Sequence, residues 1–157
     1  MRMTLTALAL GAALFVAACS SEESTTNPTT NATKGTMSAK IDGADWTGTL
    51  VVQGLYTNDL LSIAGQDNNA RQIQLRLIGI KTPGTYQFGG MTNPNTATVT
   101  VGINATDNYT ASLVAGSGTV NVTVLTAQKA EGTFSFTGRN TAGATKQVSE
   151  GRFNVTF

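Results

Sequence analysis

Seven carboxylates lie beyond residue 34: Asp42, Asp45, Asp59, Asp67, Asp107, Glu131 and Glu150. They are the general acid–base candidates of a chain that has no histidine. Without imidazole there is no Ser-His-Asp or Cys-His triad, no histidine-bound metal and no switch near neutral pH. Glycoside hydrolysis stays chemically open, because it needs only two carboxyl groups about 5–9.5 Å apart across a cleft. Nearly all seven, however, sit in or beside turn sequences, where Asp accepts bonds from the amides that follow it. The expectation is turn chemistry without catalysis, and a carboxylate-dependent hydrolase is the alternative. Asp67-Asn68-Asn69 and the group Asn104, Asp107 and Asn108 offer oxygen ligands to calcium, but neither has EF-hand spacing. No metal or other cofactor is expected. Gly116-Ser117-Gly118 precedes a strand rather than a helix, so it is no phosphate loop, and Ser117 is not in a G-x-S-x-G elbow. Ten basic against nine acidic side chains, at 12% charged residues, leave no basic footprint for nucleic acid.

Cys19, the one cysteine, stands in the most specific context of the chain. Arg2 is followed by an apolar run from Leu5 to Ala18, and Val16-Ala17-Ala18 places small residues just before the thiol. A charged n-region and an apolar run shorter than the roughly 20 residues of a spanning helix read as a secretory signal. With cysteine at the cut, the pattern resembles the bacterial lipobox, in which the thiol is diacylated and the chain is cleaved before it. Lipidation of Cys19 would use the only thiol and leave no disulfide or thiolate chemistry. Each buried acyl methylene contributes about 0.8 kcal/mol, so two or three chains would hold the protein on a membrane.

Residues 1–18 are thus expected to be a lipoprotein signal peptide and residues 19–34 a lipidated cysteine with a flexible tether. The stretch from Ser20 to Thr33 has no large apolar residue and cannot offset its chain entropy by burial. A flexible chain of about 16 residues reaches about 20–24 Å. Ser20 after the cysteine fits the Gram-negative pattern for transfer to the outer membrane. Glu22-Glu23 fits either an acidic signal for surface display or an ordinary solvated linker. The expected location is the bacterial outer membrane, lipid-anchored, facing the periplasm or the cell surface.

Residues 35–157 must position whatever chemistry the domain has, and their apolar period is two. Met37, Ala39 and Ile41 alternate with polar residues up to Asp42-Gly43, a strong hairpin signal. Trp46, Leu50 and Val52 continue on a second strand; this parity points Trp46 into the core, with a ligand-stacking platform as the alternative. Leu60 to Ala64, then Ile73, Leu75 and Leu77, then Thr85 to Phe88, then Val99, Val101 and Ile103 follow. Tyr109, Ala111 and Leu113, then Val120, Val122 and Val124, then Phe134 and Phe136 come next. Val148, Phe153, Val155 and Phe157 mark the last strand. About ten short strands joined by short connections predict an all-β antiparallel meander, as a sandwich or an up-and-down barrel. The terminal Phe153-x-Val155-x-Phe157 resembles the ending of an outer-membrane β-barrel. One Trp and three Tyr, however, supply no aromatic girdles.

In a strict meander successive turns alternate between two ends. One end would then gather Tyr56, Asp59, Lys81, Asp107, Lys129 and Glu131, with Tyr109 at its margin. Aromatic faces beside both charge signs suit a saccharide or a protein surface. Tyr56, Asp59, Asp107 and Tyr109 are therefore the expected binding residues.

Ile41-Asp42-Gly43-Ala44-Asp45-Trp46 resembles the xDGxxW opening of a family of small Bacteroidetes-type lipoprotein domains of unknown function. Gly84-Thr85-Tyr86 resembles its central GTY element. Gly116 to Val120, Glu131 to Phe136 and Glu150 to Phe153 resemble its GSGTV, GTFSF and GxF ending. The resemblance spans nearly the whole of residues 35–157; it implies an all-β lipoprotein and carries no catalytic residue. The resulting expectation is a lipid-anchored envelope protein, not an enzyme. Its β-domain would bind a glycan, small ligand or protein partner, or serve the envelope structurally.

Overall fold

The computed structural model describes residues 35–157. The expected signal peptide, Cys19 and tether lie outside the described residues. Eleven strands form one curled antiparallel sheet: β1 (Gly35–Ile41), β2 (Ala44–Thr47), β3 (Val51–Thr57), β4 (Leu60–Gln66), β5 (Gln72–Ile78), β6 (Gly84–Phe88), β7 (Thr96–Thr100), β8 (Asn108–Ala111), β9 (Ser117–Leu125), β10 (Lys129–Arg139) and β11 (Thr145–Thr156). A short 3-10 turn, Ala105–Asp107, precedes β8. The all-β antiparallel expectation holds, and the sheet closes into a half-barrel rather than a flat sandwich.

Local chemistry sets the hairpins. Asp42 and Gly43 both take positive φ, 49° and 83°, as do Asn58 and Asp59 between β3 and β4, at 50° and 62°. Two consecutive left-handed residues make the tight turn whose twist matches the strands it joins. The expected second strand is broken at Gly48. Gly48 N–H still bonds to Met37 O on β1, whereas Leu50 N–H bonds to Gln66 O on β4. One continuous segment therefore pairs with β1 and then with β4, joining the two ends of the strand path. Leu50 sits in this crossing and is exposed, while Trp46 and Val52 on either side are buried, so Trp46 is in the core as its parity predicts. Gly54 permits the closure, because a Cβ there would come within 2.7 Å of Val155 Cγ2.

The strict meander does not hold. β5 pairs directly with β7, and β6 leaves the path to pair with β9. Strand β10 carries the branch point: its edge opposes β8 at Arg139↔Thr110 and β9 from Thr137↔Ser117 onward. Asn95 clips the two branches together. Its Oδ1 accepts from Ile78 N–H on β5 at 2.8 Å, and its Nδ2 donates to Gln87 O on β6 at 3.1 Å.

One apolar core fills the curl, from Met37, Ile41 and Trp46 through Ile63, Leu75, Val99 and Val120 to Phe134, Phe136, Phe153 and Val155. Strand β10 shows the rule, with Ala130, Gly132, Phe134, Phe136 and Gly138 buried and the residues between them turned to solvent. An apolar interior under a polar exterior is the inverse of a lipid-facing barrel.

Candidate functional site

The four expected binding residues are not brought together. Gln66, Gln72, Thr100 and Asn108 are paired in one row across β4, β5, β7 and β8, whereas Thr57, Leu60 and Ile78 form a row at the opposite end. Tyr56 and Asp59 therefore stand at one end and Asp107 and Tyr109 at the other. The shared-end expectation fails because β6 leaves the meander, which reverses the direction of the strands counted after it.

Each of the four is also engaged within the fold. The Tyr56 hydroxyl donates to Ile80 O at 3.0 Å, and its ring lies 6.0 Å from that of Phe157. Asp59 pairs with Lys81 at 3.4 Å. Asp107 Oδ2 accepts from the backbone and side-chain nitrogens of Asn104, both at 2.9 Å. The Lys146 ammonium lies 5.3 Å from the Tyr109 ring centroid and 2.7 Å from Asp42. Hydrogen bonds from Lys146 and from Gln147 N–H hold the Asp42 carboxyl below its ordinary range, and Asp42 raises Lys146 in turn.

The first calcium candidate is used internally too. Asp67 is buried, and its carboxylate accepts from Asn69 N–H, Arg71 N–H and Arg71 Nε at 2.9, 2.9 and 2.7 Å. Burial pushes this carboxyl up, but the three donors outweigh it and the net shift is down. Among the described residues no cluster of three acidic or thiol groups could hold a metal.

The outer face of the other half of the sheet is built differently. Across β2, β1, β11, β10, β9 and β6 the register aligns Thr47, Ser38, Arg152, Thr133, Asn121 and Thr85 in one row. All six are polar, and all but the half-buried Ser38 are exposed. At about 4.8 Å per strand the row is about 24 Å long. Arg152 stands within it, and among the described residues its guanidinium has no ion pair and no hydrogen bond.

The neighbouring row is interrupted by a bulge in β11. Phe134 pairs with Gly151 but Phe136 with Val148, and on the other edge Ser38 pairs with Arg152 but Lys40 with Ser149. The extra residue puts Glu150 at φ 52°, the one left-handed non-glycine residue within a strand among the described residues. Gly151 then passes beneath the Phe134 ring, where a Cβ would meet ring carbons at 2.6 Å. A bulge re-aims a side chain, and here it lifts Glu150 outward to meet Lys40 at 3.1 Å. The Glu150 hydrogen bond and charge raise the Lys40 pKa.

Two clefts flank this pair and share Glu150 and Arg152 as a common wall. One, of about 310 Å³, is lined further by Thr119, Asn121, Thr133 and Ser135. The other, of about 380 Å³, is lined by Ser38, Lys40, Asp45 and Thr47. The alternation of residues 145–157 carried a signal for this feature. Val148 and Phe153 cannot share a face of a regular strand, since they are five positions apart, and a bulge resolves the parity. The cross-strand row had no such signal, because register lies outside any one strand's sequence.

Comparison with known proteins places the sequence that builds this geometry in a family. A family model described as a domain of unknown function, DUF6252, matches residues 33–155. The chain belongs to the DUF6252 family. Neither the curated proteins nor the solved structures contain a match.

In this DUF6252 domain five of the seven carboxylates are tied to a cation: Asp42 to Lys146, Asp59 to Lys81, Asp67 to Arg71, Glu131 to Lys129 and Glu150 to Lys40. Asp107 braces its own turn. The resolved carboxyl shifts are downward, the direction that keeps an acid ionised and makes it a poor proton donor at neutral pH. Besides hydroxyls and amides, the outer face of the DUF6252 domain offers exposed arginines without an ion pair, of which Arg152 lines both clefts, and the Asp45 carboxylate in one of them.

Proposed function

We propose that this protein is a lipid-anchored domain of the bacterial envelope that binds a ligand on its polar outer face and performs no catalysis. The single observation that carries the binding face is the unpaired Arg152 in a six-strand polar row, beside a bulge that holds Glu150 outward. Left-handed backbone at a residue with a Cβ costs about 1–2 kcal/mol, and glycine would meet the geometry without that strain. The side chain of Glu150 is what the chain gains by carrying the strain. The paired carboxylates support binding over hydrolysis, since a general acid with a raised pKa is what a glycosidase requires. The polar exterior supports a tethered domain over a membrane-spanning barrel.

The anchor rests on Val16-Ala17-Ala18-Cys19, and the location it implies is the outer membrane, facing the periplasm or the cell surface. Cys19→Ser offers no thiol to the acyl donor. Cells expressing it are expected to incorporate no labelled palmitate into the protein, which would keep the larger, uncleaved size. Labelling of the serine variant at the level of the parent chain would remove the anchor from the account.

A further inference from the structure

We propose that the ligand of the outer face is an acidic polysaccharide, with a sugar carboxylate seated on Arg152 and hydroxyls along the row from Ser38 to Asn121. This rests on the binding face proposed above and adds the class of its occupant. The charges of the first cleft select an anion. Glu150 is bonded to Lys40 at 3.1 Å and Asp45 lines only the second cleft, so in the first cleft the Arg152 guanidinium is the charge without a partner. A guanidinium binds a planar carboxylate through two parallel N–H donors, a match an ammonium cannot reproduce.

The lining selects a polyhydroxylated partner. Ser38, Thr133, Asn121 and Thr119 supply donors and acceptors in pairs, which is what a sugar hydroxyl exchanges. A protein partner would seek exposed aromatic or aliphatic anchors, and the row contains none. The shape selects a polymer, because the two clefts lie side by side and open outward on either side of Glu150 and Arg152, along a row that crosses six strands. With no aromatic platform, affinity comes from one ion pair and many hydrogen bonds. Binding should therefore be weak per sugar unit, raised by chain length, and weakened by salt.

The test titrates the full chain in detergent with polygalacturonate, its methyl ester, dextran and polyphosphate. Polygalacturonate is expected to bind, while the neutral ester and dextran should bind at least tenfold more weakly, the loss of one charge-assisted contact being about 1.5–3 kcal/mol. Arg152→Ala should weaken binding by about tenfold or more, and Arg152→Lys should restore part of it. Glu150→Gly removes a carboxylate beside Arg152 and frees Lys40, so it should strengthen binding of the anion while leaving the melting temperature equal or higher, since it relieves backbone strain. Arg139→Ala removes another exposed arginine, from β10, and is expected to change nothing. Equal losses in Arg152→Ala and Arg139→Ala would reveal general charge attraction and overturn the site. Preference for polyphosphate, or equal binding of ester and acid, with Arg152 still required, would overturn the ligand class and leave the face standing. Binding of every probe untouched by Arg152→Ala and Glu150→Gly would overturn the face itself.

Discussion

Asp67 shows how much a single buried charge depends on its donors. Its carboxylate has three nitrogen donors within 2.9 Å, and without them an ionised group in that position would be costly. Because the folded pKa lies below the unfolded value of about 3.9, the stabilisation is fully present at higher pH. It is lost as pH falls below about 4 toward the folded value. Melting temperature is thus expected to be flat between about pH 7 and 5 and to drop below about pH 4. Asp67→Asn, whose amide would turn a donor toward Arg71 Nε, should cost about 2 kcal/mol at neutral pH and flatten the acid limb. Thermal unfolding of both proteins across that range checks it; an unaltered acid limb in the variant would assign the pH dependence to other carboxylates.

At the scale of elements, the branch in the sheet decides which loops meet, and Asn95 holds that branch. Asn95→Ala would strand the Ile78 N–H and free one bond at Gln87 O, although Asn93 Nδ2 still reaches that carbonyl. The expected loss is about 2 kcal/mol, or about 8 °C for a domain of this size, measured by calorimetry. A shift under about 2 °C would mean the branches are held by core packing alone. The strands themselves were readable from the alternation of residues such as Ile73, Leu75 and Leu77, because burial on one face imposes a period of two. Their order was not, since β6 carries the same kind of alternation as its neighbours. Asn95, which bridges the two branches, sits in a loop sequence, Asn93-Pro94-Asn95, that reads as ordinary turn chemistry. The departure of β6 is what moved Asp107 and Tyr109 away from Tyr56 and Asp59. The bulge at Glu150 left a parity break between Val148 and Phe153 that the sequence reading passed over, whereas the row around Arg152 exists only once six strands are in register.

The whole molecule separates its tasks by face. Stability resides in one interior core that closes on itself through the segment shared by β1 and β4. The exterior of β11, β10 and β9 makes little contribution to that core, so packing does not fix its residues, and the proposed ligand face lies there. Amide shift mapping of the isotope-labelled protein during titration with polygalacturonate fragments tests that assignment most directly. The account predicts perturbations centred on Ser38, Asn121, Thr133, Glu150 and Arg152, with none at Tyr56 and Lys81 or at Asp107 and Tyr109. Perturbations centred on either of those ends, with the Arg152 row unmoved, would contradict it.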